Sequence, residues 1–320
     1  MDKILLNSEV IIYLLSKSLM MLLLFVAFVY SVVILKDWDF NQFTPKQFAL
    51  ENRSYLVSVI IVFALVLKSF LILYFVHTID ALSEFVPGAM CAAGVIKANI
   101  YGNYLLMLSL ASIFLSFVWM SINAMDIKSL DYPYMRLKTI FFMVLFVLLV
   151  VEYGLDWLYF THIDTQKAVS CCSVIYGKVG GGIPFGLDSA KLLVLFYLLF
   201  VLIVLSVWMR YVYISAISAL MFLVVGYYSV VYFFGTYIYE LPTHKCPFCM
   251  LQHYYHYVGY LVWGLLFGGV FLLLDSLIMQ IFFKEKSTHL TKVATVMLLL
   301  FVTLCSGYVM VYYIKNGVFL

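Results

Sequence analysis

Residues 139–160 read TIFFMVLFVLLVVEYGLDWLYF, a run in which Glu152 and Asp156 are the only charges. A helix needs about 20 predominantly apolar residues to cross a hydrocarbon layer of about 30 Å, and this run is long enough. It does not alternate apolar with polar residues, which excludes the strand of a membrane barrel. Seven further segments have the same character: Ser18 to Leu35, Tyr55 to His77, Tyr101 to Asn123, Ala190 to Met209, Val212 to Tyr239, Tyr254 to Phe283 and Lys292 to Ile314. All six prolines fall in connections or at span ends, as uninterrupted helices require. The expected fold is therefore an all-α polytopic membrane protein with about eight transmembrane helices.

The whole chain agrees with its segments. Of 320 residues, 66% are hydrophobic and only 11% charged, and the mean hydropathy is +1.07. A soluble domain carries roughly 25% charged residues. The net charge of +3 and the lack of any long Lys/Arg block exclude a nucleic-acid-binding surface. The N-terminal MDKILLNSEV carries two acids and no small-residue cleavage site, so it reads as retained and not as a signal peptide.

Orientation follows from basic residues. The connections after spans one, three, five and seven carry Lys36, Lys46, Arg53, Lys128, Arg136, Lys138, Arg210, Lys284, Lys286 and Lys292. The opposite side carries Lys3, Lys17, Lys97, Lys167, Lys178, Lys245 and Lys315. The positive-inside rule makes the first set cytoplasmic and places both termini outside, on the periplasmic face of a bacterial inner membrane.

Five of the six cysteines then share the outer face: Cys91 after span two, Cys171 and Cys172 after span four, Cys246 and Cys249 after span six. His77, His162, His244, His253 and His256 lie at the same face, while Cys305 sits inside the last span and reads as a packing residue. Outer-face loop cysteines serve as disulfides, redox carriers or metal ligands. The stretch Thr243-His244-Lys245-Cys246-Pro247-Phe248-Cys249 favours reactivity. A Cys-x-x-Cys that opens a helix places its first thiol over unsatisfied amides and the positive dipole end, and His244 and Lys245 would add positive charge. No βαβ context is present, so the chemistry would belong to helices at the membrane surface.

From Thr139 to about Phe283 the chain resembles the four-helix bundle of the vitamin K epoxide reductase family. The resemblance rests on Cys171-Cys172-Ser173-Val174-Ile175, on Gly182-Ile183-Pro184, and on the Cys-x-x-Cys at the last span, 75 residues beyond Cys171. It divides the chain into a three-span region over residues 1–138 with the Cys91 loop, a bundle over 139–283, and a terminal span over 284–320. It implies a membrane thiol:disulfide oxidoreductase in which Cys246 exchanges with Cys171 or Cys172 and Cys249 faces a quinone. The loop cysteines would exchange with a periplasmic thioredoxin-like partner. The family's upstream loop cysteine has no counterpart between His162 and Ser170, so under the resemblance Cys91 would pair with Cys171 or Cys172 in its place.

A second reading uses the same residues without catalysis. Intervals of three, four and three place Cys246, Cys249, His253 and His256 on one face if the helix is continuous. Two neighbours together with Cys171, Cys172, His77 or His162 would suit copper or zinc in a metal-binding or transfer protein. In the redox reading His253 and His256 would instead bond a quinone, and Glu152 and Asp156, four apart in span four, would relay its protons. Lys68, near the middle of span two, needs a carboxylate partner, for which Asp275 of span seven is the candidate.

Overall fold

The computed structural model describes residues 2–38, 44–129, 132–169, 188–284 and 288–320. Among these, all regular structure is helical, and eight helices are long and apolar enough to cross a membrane. They are α1 (Ser8–Asp37), α2 (Pro45–Ala81), α3 (Tyr101–Lys128), α4 (Met135–Thr161), α5 (Ser189–Trp208), α6 (Val212–Ser229), α7 (Val258–Phe283) and α8 (Thr288–Asn316). The α6 span continues through a π-helical turn at Val230–Phe234 into a last turn at Gly235–Tyr239. With no water in the hydrocarbon layer to satisfy backbone groups, helices of this length fit an integral multi-pass membrane protein.

Local chemistry sets the helix ends. Asn7 caps α1 by accepting from Glu9 N–H at 2.9 Å, and Thr44 caps α2 ahead of Pro45 in the first turn. The α1 helix starts ten residues before the apolar segment that suggested it. Lys17, read as an outer-side charge, is buried and paired inside the helix bundle, so it no longer ends the span. The α7 helix starts later than expected, because residues 249–257 form tight turns and not helix.

The chain forms two compact units, residues 1–87 with 95–169, and residues 88–94 with 170–320. In the first, α1 packs on α2 and α4 while α3 packs on α2 and α4, which makes a four-helix square. In the second, α7 packs on α8 and α6 while α5 packs on α6 and α8, a second square. These units divide the chain elsewhere than at residues 138 and 283. Span four packs with the first three, and span eight with spans five to seven.

Candidate functional site

The second unit gathers three cysteines. The Sγ atoms of Cys91, Cys246 and Cys249 all lie within 4.8 Å of one another, with Cys91 and Cys246 3.6 Å apart. That separation is well beyond the 2.05 Å of a disulfide bond. The three side chains are only 0%, 5% and 4% exposed, so bulk solvent does not reach the sulfurs. Cys91 arrives on the short segment Gly88–Gly94, which is counted with this unit, and turns where Gly94 N–H donates to the Cys91 carbonyl at 3.0 Å.

The loop that carries the other two is held from three directions. The Tyr239 hydroxyl, at the end of the α6 span, donates to the Cys246 carbonyl and accepts from Met250 N–H at 3.1 Å, so one phenol closes over the Cys-x-x-Cys. Trp263 of α7 donates its indole N–H to the Pro247 carbonyl at 3.0 Å. Gln252 donates to the Met90 carbonyl at 3.2 Å, which ties the Cys91 segment to the same loop. The π-helical turn inserts one extra residue before Tyr239 and so resets the face on which that ring emerges. Gly235 permits the turn, since a Cβ there would meet the Val230 carbonyl oxygen at 2.6 Å.

His244 completes the arrangement. Its ring lies tilted against the Tyr239 ring, with centroids 4.2 Å apart and the planes at 42°, and the Cys246 and Cys249 sulfurs beside it raise its pKa to about 9. Its Nε2 is buried and finds no partner of ordinary hydrogen-bond geometry among the described residues. Lys245 points elsewhere, with Nζ 5.1 Å from the centroid of the Tyr232 ring. Of the two basic neighbours expected beside the thiols, the histidine is the one in place.

Two expectations about this loop change. Cys246 lies in irregular chain and Cys249 begins a single 3₁₀ turn, so neither sits over the amide end of α7, which starts at Val258. His256 and Tyr257 have φ of 53° and 56°, a left-handed bend that breaks the proposed continuous helical face. His253 and His256 are exposed and are not members of the thiol group, nor is His77, which is exposed on α2. Cys171 and Cys172, with Gly182-Ile183-Pro184, lie outside the described residues.

Glu152 and Asp156 belong to the first unit, where they pair with lysines. Lys68 donates to both Glu152 oxygens at 2.7 and 2.8 Å, and Lys17 lies 2.5 Å from Asp156 Oδ2. Glu152, and not Asp275, is therefore the partner of Lys68. Cys305 is fully buried in the apolar core of the second unit, as expected for a packing residue.

The sequence placed His244 beside the Cys-x-x-Cys thiols; it missed Cys91 as a member of the thiol group and Tyr239 as its clamp. His244 carried a signal, lying two residues before Cys246. Cys91 did not, because it is separated from Cys246 by 155 positions.

No protein-family model, curated protein or solved structure matches this chain, and the vitamin K epoxide reductase resemblance gains no support from them. Among the described residues, fold and site together define a helical protein with eight candidate membrane spans and a buried trithiol group.

Proposed function

We propose that Cys91, Cys246 and Cys249 bind a thiophilic d10 cation, Cu(I) or Zn(II), with His244 as a fourth ligand, at the outer face of a bacterial inner membrane. The observation that carries this reading is the mutual approach of three sulfurs to within 4.8 Å. A metal about 2.3 Å from each sulfur sets them about 3.8 Å apart in tetrahedral geometry, and the Cys91 to Cys246 distance of 3.6 Å is close to that edge. Burial also favours a ligand role. Exchange with a soluble thioredoxin-like protein would have to pass through Cys171 or Cys172, because these three thiols are closed off from a partner's sulfur. Soft thiolates with one imidazole suit Cu(I) or Zn(II) better than oxygen-seeking cations.

The Cys91 to Cys246 contact supports a second reading, thiol:disulfide exchange. The Cys91 thiolate would attack Cys246 of a Cys246–Cys249 disulfide, forming a Cys91–Cys246 bond and releasing Cys249 as thiolate. A thiolate of Cys171 or Cys172 would then attack Cys91 of that bond, forming a disulfide with Cys91 and releasing Cys246, and a quinone would take two electrons and two protons from the Cys246–Cys249 dithiol and return quinol and disulfide. The disulfide left on Cys91 would be reduced by the dithiol of a periplasmic partner, which supplies the two electrons and leaves as a disulfide.

Elemental analysis of the full-length protein, purified without oxygen or chelator, separates the two. The metal reading expects about one copper or zinc per chain, lost in Cys91→Ser and in Cys246→Ser but kept in Cys305→Ser. X-ray absorption at the metal edge would identify the ion and count its sulfur neighbours. A metal-free protein whose cysteines oxidise on adding quinone, and whose Cys249→Ser variant traps a Cys91–Cys246 disulfide, overturns it in favour of exchange.

A further inference from the structure

The first unit holds charge where a lipid-embedded bundle would ordinarily hold hydrocarbon. Tyr13 and Lys17 of α1, Lys68 of α2, and Glu152 and Asp156 of α4 form one buried cluster. Lys17 lies 2.9 Å from Glu152 Oε1 and donates to the Tyr13 hydroxyl at 2.9 Å, and that hydroxyl donates to Asp156 Oδ1 at 2.9 Å. Two serines of α3 complete the shell of Glu152, with Ser109 donating to Oε1 at 3.1 Å and Ser112 to Oε2 at 2.5 Å. All four charged side chains are at most 3% exposed.

A second cluster lies towards the other end of the same bundle. Lys138 of α4 is 2.6 Å from Asp126 Oδ2 of α3 and donates to the Asn123 side-chain oxygen at 3.2 Å. Asp126 also accepts from Tyr134 N–H at 2.8 Å. Each cluster borders a cavity of ≈ 10 Å³, room for about one water molecule. The first is bounded by Tyr13, Lys17, Lys68, Ser109 and Glu152, the second by Ser31, Ser54, Ser58, Lys138 and Thr139.

The α3 helix joins them. Ser109, Ser112, Ser116, Trp119, Asn123 and Asp126 recur at steps of three and four, hence on one helical face, and every one is buried. From Ser109 to Asp126 the helix rises about 25 Å, most of the hydrocarbon thickness of about 30 Å. Ser116, midway, bonds only its own helix, donating to the Ser112 carbonyl at 2.6 Å. Beyond the first cluster, Glu9 stands one helical turn from Tyr13 on α1, half-buried, and accepts from the Tyr74 hydroxyl at 2.5 Å. That pair would connect the cluster to the membrane surface.

We propose that the α1–α4 bundle is a proton pathway, in which Glu152 and Asp156 near one face and Asp126 near the other exchange protons through the α3 hydroxyls and the water held in the two cavities. A proton entering on one carboxylate leaves from the other, one charge crosses per proton, and nothing is oxidised or reduced. The cavities are too small for a hydrated metal ion. The lysines repel other cations while the carboxylates repel anions, so hopping protons are the cargo that fits. Between the clusters the lining is apolar, with Leu24, Ala64, Leu65 and Leu145 buried. Transfer there would wait on transient water, and the path would be slow compared with an open channel.

The test uses the full-length protein in liposomes with a pH-sensitive dye trapped inside and a potassium diffusion potential set by valinomycin. Wild-type vesicles should acidify at least about tenfold faster than protein-free vesicles, independently of sodium, and Glu152→Gln should abolish that excess. Ser116→Ala, which leaves every ion pair in place, should slow the flux severalfold while the melting temperature stays at the wild-type value. Wild-type flux no faster than that of empty vesicles, or Ser116→Ala and Glu152→Gln both as fast as wild type, overturns the proposal and leaves the clusters as ion pairs that hold the helices together. If Glu152→Gln fails to fold, the Ser116→Ala rate decides alone, because that variant removes no charge.

Discussion

At Gly259 one methyl group decides whether the cysteine loop can seat on α7. A Cβ there would lie 2.6 Å from Met250 Cγ and 2.9 Å from the Met250 carbonyl carbon, so backbone as well as side chain would have to move. Gly259→Ala is expected to cost about 1–3 kcal/mol in thermal unfolding and to lower the bound metal per chain, since Met250 follows Cys249 directly. Tyr239→Phe tests the clamp from the other side. It removes the donor to the Cys246 carbonyl and the acceptor of Met250 N–H, and an unmatched buried N–H costs about 1–3 kcal/mol. The expected readout is weaker metal retention against a chelator, with the three thiols still present by titration. At this scale the sequence was legible where a residue's neighbours along the chain are its neighbours in space, as with His244 and Cys246. It was silent where they are not, as with Cys91.

Among the elements, α1 shows how a charge reads differently once its partners are known. Lys17 ended the apolar run in the sequence, yet in the bundle it lies 2.9 Å from Glu152 and 2.5 Å from Asp156, and the helix continues through it. A lone lysine in hydrocarbon is costly; one between two carboxylates is held. Lys17→Met should therefore destabilise the first bundle by about 3–5 kcal/mol, because it leaves Asp156 without its lysine. The double variant Lys17→Met, Asp156→Asn should recover part of that loss in a thermal double-mutant cycle, whereas additive losses would mean that the pair is not coupled. The Cys-x-x-Cys teaches the converse. Its position before an apolar span suggested a helix start, but Gln252 N–H closes a turn on Cys249 and Tyr257 N–H one on Gln252, delaying α7 to Val258. The hydrogen bonds of Tyr239 and Trp263 to the loop backbone hold the two thiols, and neither sits over the dipole of α7.

For the whole molecule, the prediction that matters most is which face carries the thiols. Tyr254, 86% exposed in the loop between the α6 and α7 spans, offers a labelling position that leaves the buried cysteines alone. Tyr254→Cys should react with a membrane-impermeant maleimide in intact cells; reaction only after permeabilisation would reverse the orientation and with it the compartment of the proposed metal site. Eight spans were readable without any structure, because hydrocarbon thickness sets a minimum apolar length and an unsatisfied backbone leaves helices as the available form. That Cys91, Cys246 and Cys249 each follow an even-numbered span was readable in the same way, by counting apolar segments along the chain. Only the tertiary structure decided that span four closes the first bundle, that Lys68 meets Glu152, and that Cys91 joins Cys246 and Cys249 while His253 and His256 stay apart. Spacing along the chain constrains which residues share a helix face. Which faces meet depends on how the bundles pack, where side chains distant in sequence fill one another's space.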